Sequence, residues 1–310
     1  MTSKNRCPIC QCNETKLLSC VKDEEYLSSD HVYKYYQCLD CKIIYLFDPP
    51  TDKLNIIYPS TYYSYESSSK YQLARKFLEN IKFFFDKLLL KKVLFKLKFK
   101  TLDCLDVGGG SGWISNALKK IDGRINSTTI IDLNENLRKR AQENGHIFLC
   151  ENIDDININD KFHFVIMLNL IEHLPDPIKT LTKIYNAMQD KGMLLIKTPN
   201  TDTISKYLFK KFYWGGYHAP RHWVLFDKEN FFKLAKRCHF SIEYFTYTQG
   251  APQWTTSIIG SYYHIFSSQS KKPIQKHFLS PYLMMFFAIF DYLTLWLIKP
   301  SQMIIVLKKN

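Results

Sequence analysis

At 310 residues the chain can hold one full α/β domain plus a small accessory one. Its formal charge of +13 is unevenly placed along the chain. Nine cysteines with no apolar leader argue against a secreted disulfide scaffold and predict a reducing, cytoplasmic location.

Cys7-Pro8-Ile9-Cys10 and Cys38-Leu39-Asp40-Cys41 form two C-x-x-C knuckles separated by 27 residues. Each knuckle puts two thiolates on one tight turn, and two such turns complete a tetrahedral site for a structural Zn2+ held by Cys7, Cys10, Cys38 and Cys41. A redox role would need only one pair, beside a thioredoxin-like unit that is not evident. Cys12 and Cys20 lie near enough to be alternate ligands. Aromatic-rich residues Ile43 to Pro50 close this small domain, placed at 1–60, and tyrosines follow at 58, 62, 63 and 65.

Residues 61–100 read as a basic amphipathic helical linker. Between Lys70 and Lys100 ten Lys or Arg face only Glu79 and Asp86. Phe77, Ile81, Phe84, Phe85, Leu88, Leu89, Val93 and Leu94 recur there at broadly helical spacing. Such a helix either lies on an anionic membrane surface or packs across the following domain with its lysines solvated.

Leu102, Cys104, Leu105 and Val107 mark a buried strand, glycines stand at 108, 109, 110 and 112, and Trp113 to Lys120 reads as a helix. Glycines let the backbone turn sharply and approach a ligand closely, and the helix presents unpaired N–H groups. A phosphate loop would need Gly-Lys-Ser/Thr where Gly112-Trp113 stands, and the dinucleotide spacing G-x-G-x-x-G is one residue wider than that found. What fits is D-x-G-x-G-x-G, opened by Asp106.

Thr128 to Ile131 reads as a second strand ending in Asp132, whose carboxylate at a strand tip can accept both hydroxyls of a ribose. Ile147 to Cys150 is a third strand, followed by Glu151, Asn152 and Ile153. Phe162 to Leu168 is a fourth, running into Asn169-Leu170-Ile171-Glu172-His173, and Gly192 to Lys197 a fifth, ending at Thr198-Pro199-Asn200. This alternation with helices predicts an α/β, doubly wound parallel sheet. Cys104, Cys150 and Cys238 sit in apolar contexts and read as small buried hydrophobes. Pro281 to Ile298 is the most apolar run, but Asp291 near its middle makes a membrane span costly. It reads as a helix against the domain or as a membrane-facing surface. Ser301 to Leu307 reads as a last strand.

The segment Leu105 to Gly112, with Asp132 and with Phe162 to Leu174, resembles the class I S-adenosylmethionine-dependent methyltransferases, whose fourth strand usually carries Asp where this chain has His163. The resemblance implies a Rossmann-like sheet with an antiparallel last strand. It also implies a cofactor, S-adenosylmethionine, bound by Asp106, Gly108, Gly110, Gly112, Asp132, Asn152, Ile153 and Asn169. The paired knuckles, the aromatic stretch after them, Pro220-Arg221-His222-Trp223-Val224-Leu225-Phe226 and Ala235 to Phe240 resemble the zinc-headed branch associated with sugar and polysaccharide pathways.

On that resemblance the chain is an enzyme that methylates a small molecule, with O-methylation of a sugar or lipid-linked saccharide preferred. The acceptor side is expected from His173, His218, Arg221 and His222. His222 is the preferred general base, because histidine titrates near working pH, and Arg221 would hold an acidic or phosphorylated group. Equally, His218 or His222 simply orders its loop through a backbone hydrogen bond. Glu172-His173 either braces the helix after the fourth strand or binds a metal as in quinone O-methyltransferases, although the first acid of that branch's E-V-x-E-H is here Asn169. Rival readings are a quinone-type O-methyltransferase, an RNA methyltransferase with an RNA-binding zinc head, and a non-catalytic zinc adaptor. Nucleic acid is disfavoured because the Asn/Asp-Pro-Pro-aromatic motif of base methylation is missing. Peripheral membrane contact is expected through 70–100 and 281–298.

Overall fold

The computed structural model describes residues 6–58, 86–158, 161–266 and 273–310. Tyr62, Tyr63, Tyr65 and the first half of the basic segment lie outside them.

Three strands, β1 (Thr15–Val21), β2 (Tyr33–Cys38) and β3 (Ile44–Leu46), form an antiparallel head, followed by one helical turn, α1 (Leu54–Ile57). Helical residues 86–96 make α2, which leads into β4 (Leu102–Val107). Then come α3 (Trp113–Ile121), β5 (Ile125–Ile131), α4 (Arg138–Glu143), β6 (Ile147–Leu149), β7 (Phe162–Leu168), α5 (Pro177–Ala187) and β8 (Met188–Pro199). The last third holds α6 (Ile204–Phe209), β9 (Val224–Leu225), α7 (Lys228–Arg237), β10 (Phe240–Thr248), the helical pair α8 (Ala251–Phe266) and α9 (Ser280–Thr294), and β11 (Gln302–Lys309).

The large sheet has seven strands in the order β10-β11-β8-β7-β4-β5-β6. β4, β5, β6, β7 and β8 run parallel, while β11 enters antiparallel between β8 and β10. This is the doubly wound sheet with an antiparallel last strand that the sequence predicts. β4 and β7 are central and covered on both faces, which is why they read as nearly continuous apolar runs. Ile114, Ala117 and Leu118 turn one face of α3 onto the sheet. α5 starts where the Asp176 side chain accepts the Lys179 N–H and Pro177 sets the first helical φ.

Several expectations shift. β5 begins at Ile125 rather than Thr128. β8 begins at Met188, but its pairing with β7 jumps from Phe162–Met188 to Phe164–Met193, so regular pairing resumes close to the predicted Gly192. His163 accepts the Asp103 N–H at 3.0 Å and so joins β7 to β4. Cys104 and Cys238 are buried as expected, whereas Cys150 is only half-buried at the edge of the sheet.

The head is not self-contained. β3 pairs antiparallel with β9, which comes from far along the chain, giving a four-stranded sheet β1-β2-β3-β9. Tyr35, Ile44 and Leu46 share one hydrophobic core with Trp223, Leu225, Val165 and Met167. Each such side chain, fully buried, contributes roughly 1.5–3 kcal/mol. No helix among the described residues is long and apolar enough to cross a membrane.

Candidate functional site

The carboxyl ends of β4, β5, β6 and β7 form one edge, as ligand sites of open α/β sheets do. The β4 loop leaves the strand with Gly108, Gly110 and Gly112 at φ of 71°, 57° and 81°. At Gly112 a Cβ would also meet Ile130 and the His146 ring at 2.6 Å, so both conformation and space demand glycine. Over Gly110 an added Cβ would meet only Leu137 Cδ1, at 3.9 Å, so space is not what demands glycine there.

The Gly110 N–H donates to Asp132 Oδ2 at 2.9 Å, and the Asn134 N–H donates to Oδ1 at 2.9 Å. The loop and the strand-tip acid, 22 residues apart, are therefore joined directly. Burial raises the Asp132 pKa, and these backbone bonds oppose that. Asp106 lies under the loop with Oδ2 accepting the Ser115 hydroxyl at 2.9 Å; burial pushes it up to about 7, against the hydrogen bond and helped by the Asp132 charge. Asn152 is exposed after β6, whereas Ile153 is buried in the main core. Asn169 ends β7 at φ 53°, with its N–H donating to Lys197 O at 2.7 Å and Nδ2 reaching Glu172 Oε1 at 3.4 Å.

These residues fit the cationic nucleoside that the resemblance implies. A loop of four glycines and one serine admits close backbone approach, the Asp132 carboxylate is bonded to it, and the Asp106 carboxylate is buried beneath.

Beside Asn169, three histidines gather. The His173 and His222 rings are 4.9 Å apart and those of His218 and His222 are 4.8 Å apart. His222 Nδ1 is 2.9 Å from Gly216 O, and His173 Nδ1 is 2.9 Å from Arg221 O and 2.8 Å from the Tyr58 hydroxyl. A carbonyl only accepts, so Nδ1 carries the proton in both rings and Nε2 keeps its lone pair. Burial holds His222 well below its usual pKa and pushes His173 down to about 3. Both are neutral near pH 7.

His218 sits at φ 41° with Nδ1 2.9 Å from Glu25 Oε1 of the head. Glu172 is fully buried; its Oε2 accepts the Thr198 hydroxyl at 2.8 Å, and burial pushes it up to about 7. Glu172, His173 and His222 each bring one donor atom to within 4.8 Å of the others, a geometry that could hold a metal ion.

Arg221 does not meet the expectation of a substrate-facing cation. It has no exposed surface and makes a bidentate pair with Asp23, at 2.8 and 3.2 Å. Its Nε–H donates to Ile57 O at 2.7 Å, and its guanidinium lies 4.3 Å over the Tyr26 ring. Burial pushes Asp23 up, but the hydrogen bonds and charge of Arg221 outweigh it and hold the carboxyl below its usual range. The guanidinium therefore ties the head to the histidine loop.

In the head, the Cys7 and Cys41 sulfurs are 3.5 Å apart, those of Cys10 and Cys38 are 3.4 Å apart, and all four lie within 4.8 Å of one another. Four sulfurs about 2.3 Å from a zinc ion would be about 3.8 Å from each other, so the cluster has the size of a tetrahedral S4 site. The hydrogen bond between Cys7 and Cys41 pushes Cys7 down to about 5 and Cys41 up, and burial pushes Cys38 up to about 11. Neither Cys12, bonded to the Glu14 N–H, nor the exposed Cys20 belongs to the cluster.

Sequence reasoning missed Ser115, Thr198, Tyr58, Asp23 and Glu25. Ser115 and Thr198 carry no local signal, because their carboxylate partners are 9 and 26 residues away. The head acids are recognised only by what they face across the fold.

A methyltransferase-domain family model matches residues 70–244. An uncharacterized protein of Methanocaldococcus jannaschii is 32% identical over 120 residues, covering 38% of this chain and 49% of that one. A ubiquinone biosynthesis O-methyltransferase of Coxiella burnetii is 28% identical over 125 residues, covering 39% and 53%. A malonyl-[acyl-carrier protein] O-methyltransferase of Acetivibrio thermocellus is 28% identical over 131 residues, covering 41% and 44%. The matches thus span about half the length of these relatives.

Proposed function

Because the chain belongs to the methyltransferase-domain family, as a class I S-adenosylmethionine-dependent member with an N-terminal four-cysteine cluster, we propose that it methylates a small-molecule acceptor. The observation that carries this reading is the direct bond from the glycine loop to Asp132, which makes one cradle of two motifs. When bound, S-adenosylmethionine supplies an electrophilic methyl group for in-line displacement. The protein's part is to align the acceptor and take its proton.

Asp106, Gly108, Gly110 and Gly112 would line the amino-acid part of the cofactor, Asp132 would accept its ribose hydroxyls, Asn152 and Ile153 would flank the base, and Asn169 would face the cationic end. On the acceptor side His222, with His173 beside it, would offer the Nε2 lone pair as general base, although burial holds it well below the near-neutral range that its choice from sequence rested on. The Gly216 and Arg221 carbonyls fix the tautomers. Glu172, bonded to Thr198 and Asn169, braces the ends of β8 and β7. Cys7, Cys10, Cys38 and Cys41 would hold zinc as a structural centre. The chain divides into a head over 1–60, a basic linker over 61–100 and the transferase unit over 101–310.

For the acceptor, O-methylation of a sugar or lipid-linked saccharide is supported by the cysteine head and the Pro220-Arg221-His222 segment, which resemble the sugar-pathway branch. A quinone-type acceptor is the second reading, supported by the likeness to a ubiquinone biosynthesis O-methyltransferase.

Calorimetry with S-adenosylmethionine tests the cofactor site. Losing a charged acceptor costs about 2 kcal/mol, so Asp132→Ala is expected to bind roughly 30-fold more weakly than wild type. Equal affinity would remove Asp132 from the site. A methyl-transfer assay against nucleotide sugars, lipid-linked saccharides, quinols and RNA then selects the acceptor.

A further inference from the structure

The helical pair inserted between β10 and β11 is not accounted for by methyl transfer. Its inner side is well packed: Trp254 of α8 stacks on Phe287 of α9 at 4.9 Å. Asp291 accepts the Gly250 N–H at 2.7 Å and the Trp254 Nε1–H at 3.0 Å. The one acid of α9 therefore points inward and has no exposed surface.

The outer side is the opposite. Tyr282, Phe286, Ile289 and Leu293 follow one another at intervals of three or four residues and are all exposed, and Trp296 and Leu297 continue the line past the helix end. Leu293 is 70% and Trp296 81% exposed. Tyr262 and Phe266 of α8 are exposed as well.

The charges around this face are mostly basic, with Asp86 near Tyr292 as an exception. From Lys276 to Lys299 the only Asp, Glu, Lys or Arg between the two end lysines is the inward Asp291. On the neighbouring α6 segment, Tyr207, Leu208 and Phe212 are exposed on either side of the exposed Lys210 and Lys211, with no acid from 203 to 213. The rim acid Asp202 is paired with Lys299 at 2.5 Å. An uncharged aliphatic and aromatic stripe ending in lysines is what an interfacial helix presents to lipid, with Tyr and Trp at headgroup depth and cations toward anionic headgroups. α9 has 15 residues, too few to span a bilayer, so its place is in the plane of the surface.

We propose that α9, with the end of α8 and the lysine-rich α6 segment at its rim, docks the protein on the surface of an anionic lipid bilayer. The same pair is anchored to the histidine loop, since the Gly215 N–H donates to Ser257 Oγ of α8 at 2.8 Å. Docking therefore sets the acceptor side of the site close to the headgroups.

The readout is partition and does not depend on methyl transfer. In vesicle flotation, the full chain is expected to bind phosphatidylcholine vesicles containing about a third phosphatidylglycerol, and neutral ones at least about tenfold more weakly. Leu293→Glu with Trp296→Glu, both outward and losing only the Trp296 Nε1–H bond to Leu293 O, should weaken binding at least about tenfold. Bromine-labelled lipid should quench wild-type tryptophan fluorescence but leave Trp296→Phe markedly less quenched, which requires no disruptive substitution. Lys210→Glu with Lys211→Glu should narrow the preference for anionic vesicles. Unchanged binding by the double glutamate variant, or a monomeric wild type that ignores vesicles, overturns the proposal. So does a wild-type dimer that ignores vesicles and that Leu293→Glu converts to monomer, because the face then joins two copies.

Discussion

Glu172 shows how a single buried side chain sets the response to pH. Its carboxyl is pushed from an ordinary 4.5 to about 7 by burial, so the folded protein keeps a proton that the unfolded chain has released. That contribution to stability is full below the unfolded value and is lost as pH rises through about 7. Asp106, also pushed up to about 7, acts in the same sense. His173, pushed down to about 3, acts oppositely: its contribution is present above about 6.5 and is lost as pH falls. The Glu172 contribution is lost chiefly between pH 4.5 and about 7, and because Cys7 and His173 titrate in the opposite sense, urea unfolding from about pH 4.5 to 8 should read it as the difference between variant and wild type. Glu172→Gln should gain on wild type by up to about 3 kcal/mol toward the alkaline end, since each pKa unit is worth about 1.4 kcal/mol. A parallel pH dependence in the variant would mean that Glu172 is not the titrating group. Asp106, Asp132 and the glycines were legible in the chain because their demands are local, a turn and an acid at a strand tip. The histidines were legible as residues but not as tautomers, which depend on carbonyls at Gly216 and Arg221.

Among elements, the parallel strands were the most legible, because strands covered on both faces declare themselves as apolar runs. β9 was not, since two residues carry no periodicity and pair only because β3 is there to receive them. β10 is partly buried along nearly its whole length, with no alternation to mark it, and was missed as a strand. Arg221 was read as a substrate clamp from its place beside His222; the structure makes it the rivet between the head and the loop after α6. Breaking a buried pair leaves an uncompensated charge, at a cost of about 3–5 kcal/mol. Asp23→Ala should therefore lose that much in urea unfolding, with methyl transfer reduced more than cofactor affinity. A variant within 1 kcal/mol of wild type, roughly the worth of an exposed pair, would contradict the burial of this one.

For the molecule as a whole, the four-cysteine head and the histidine cluster stand or fall together. β9 links β3 to the His222 segment, the Tyr35 hydroxyl lies 2.8 and 2.9 Å from the carbonyls of Tyr217 and His222, and His218 meets Glu25. Metal analysis is expected to return about one zinc per chain. Chelation should abolish turnover while leaving S-adenosylmethionine affinity within about threefold, because the glycine loop and Asp132 follow β4 and β5, strands with which the head sheet does not pair. Loss of both together would show that the head supports the entire fold rather than the acceptor half.

The sequence by itself determined the doubly wound sheet, the glycine loop with its two aspartates and the pairing of two cysteine knuckles. Each is written in short-range pattern: strand periodicity, backbone freedom at glycine, two thiols on a turn. Only the tertiary structure decided that Arg221 faces Asp23, that Asp291 turns inward and leaves α9 an uncharged outer face, and that the head borrows a strand from residue 224. Those outcomes depend on which buried charge finds a partner and which sheet edge finds a strand, and such partners are tens to hundreds of residues away.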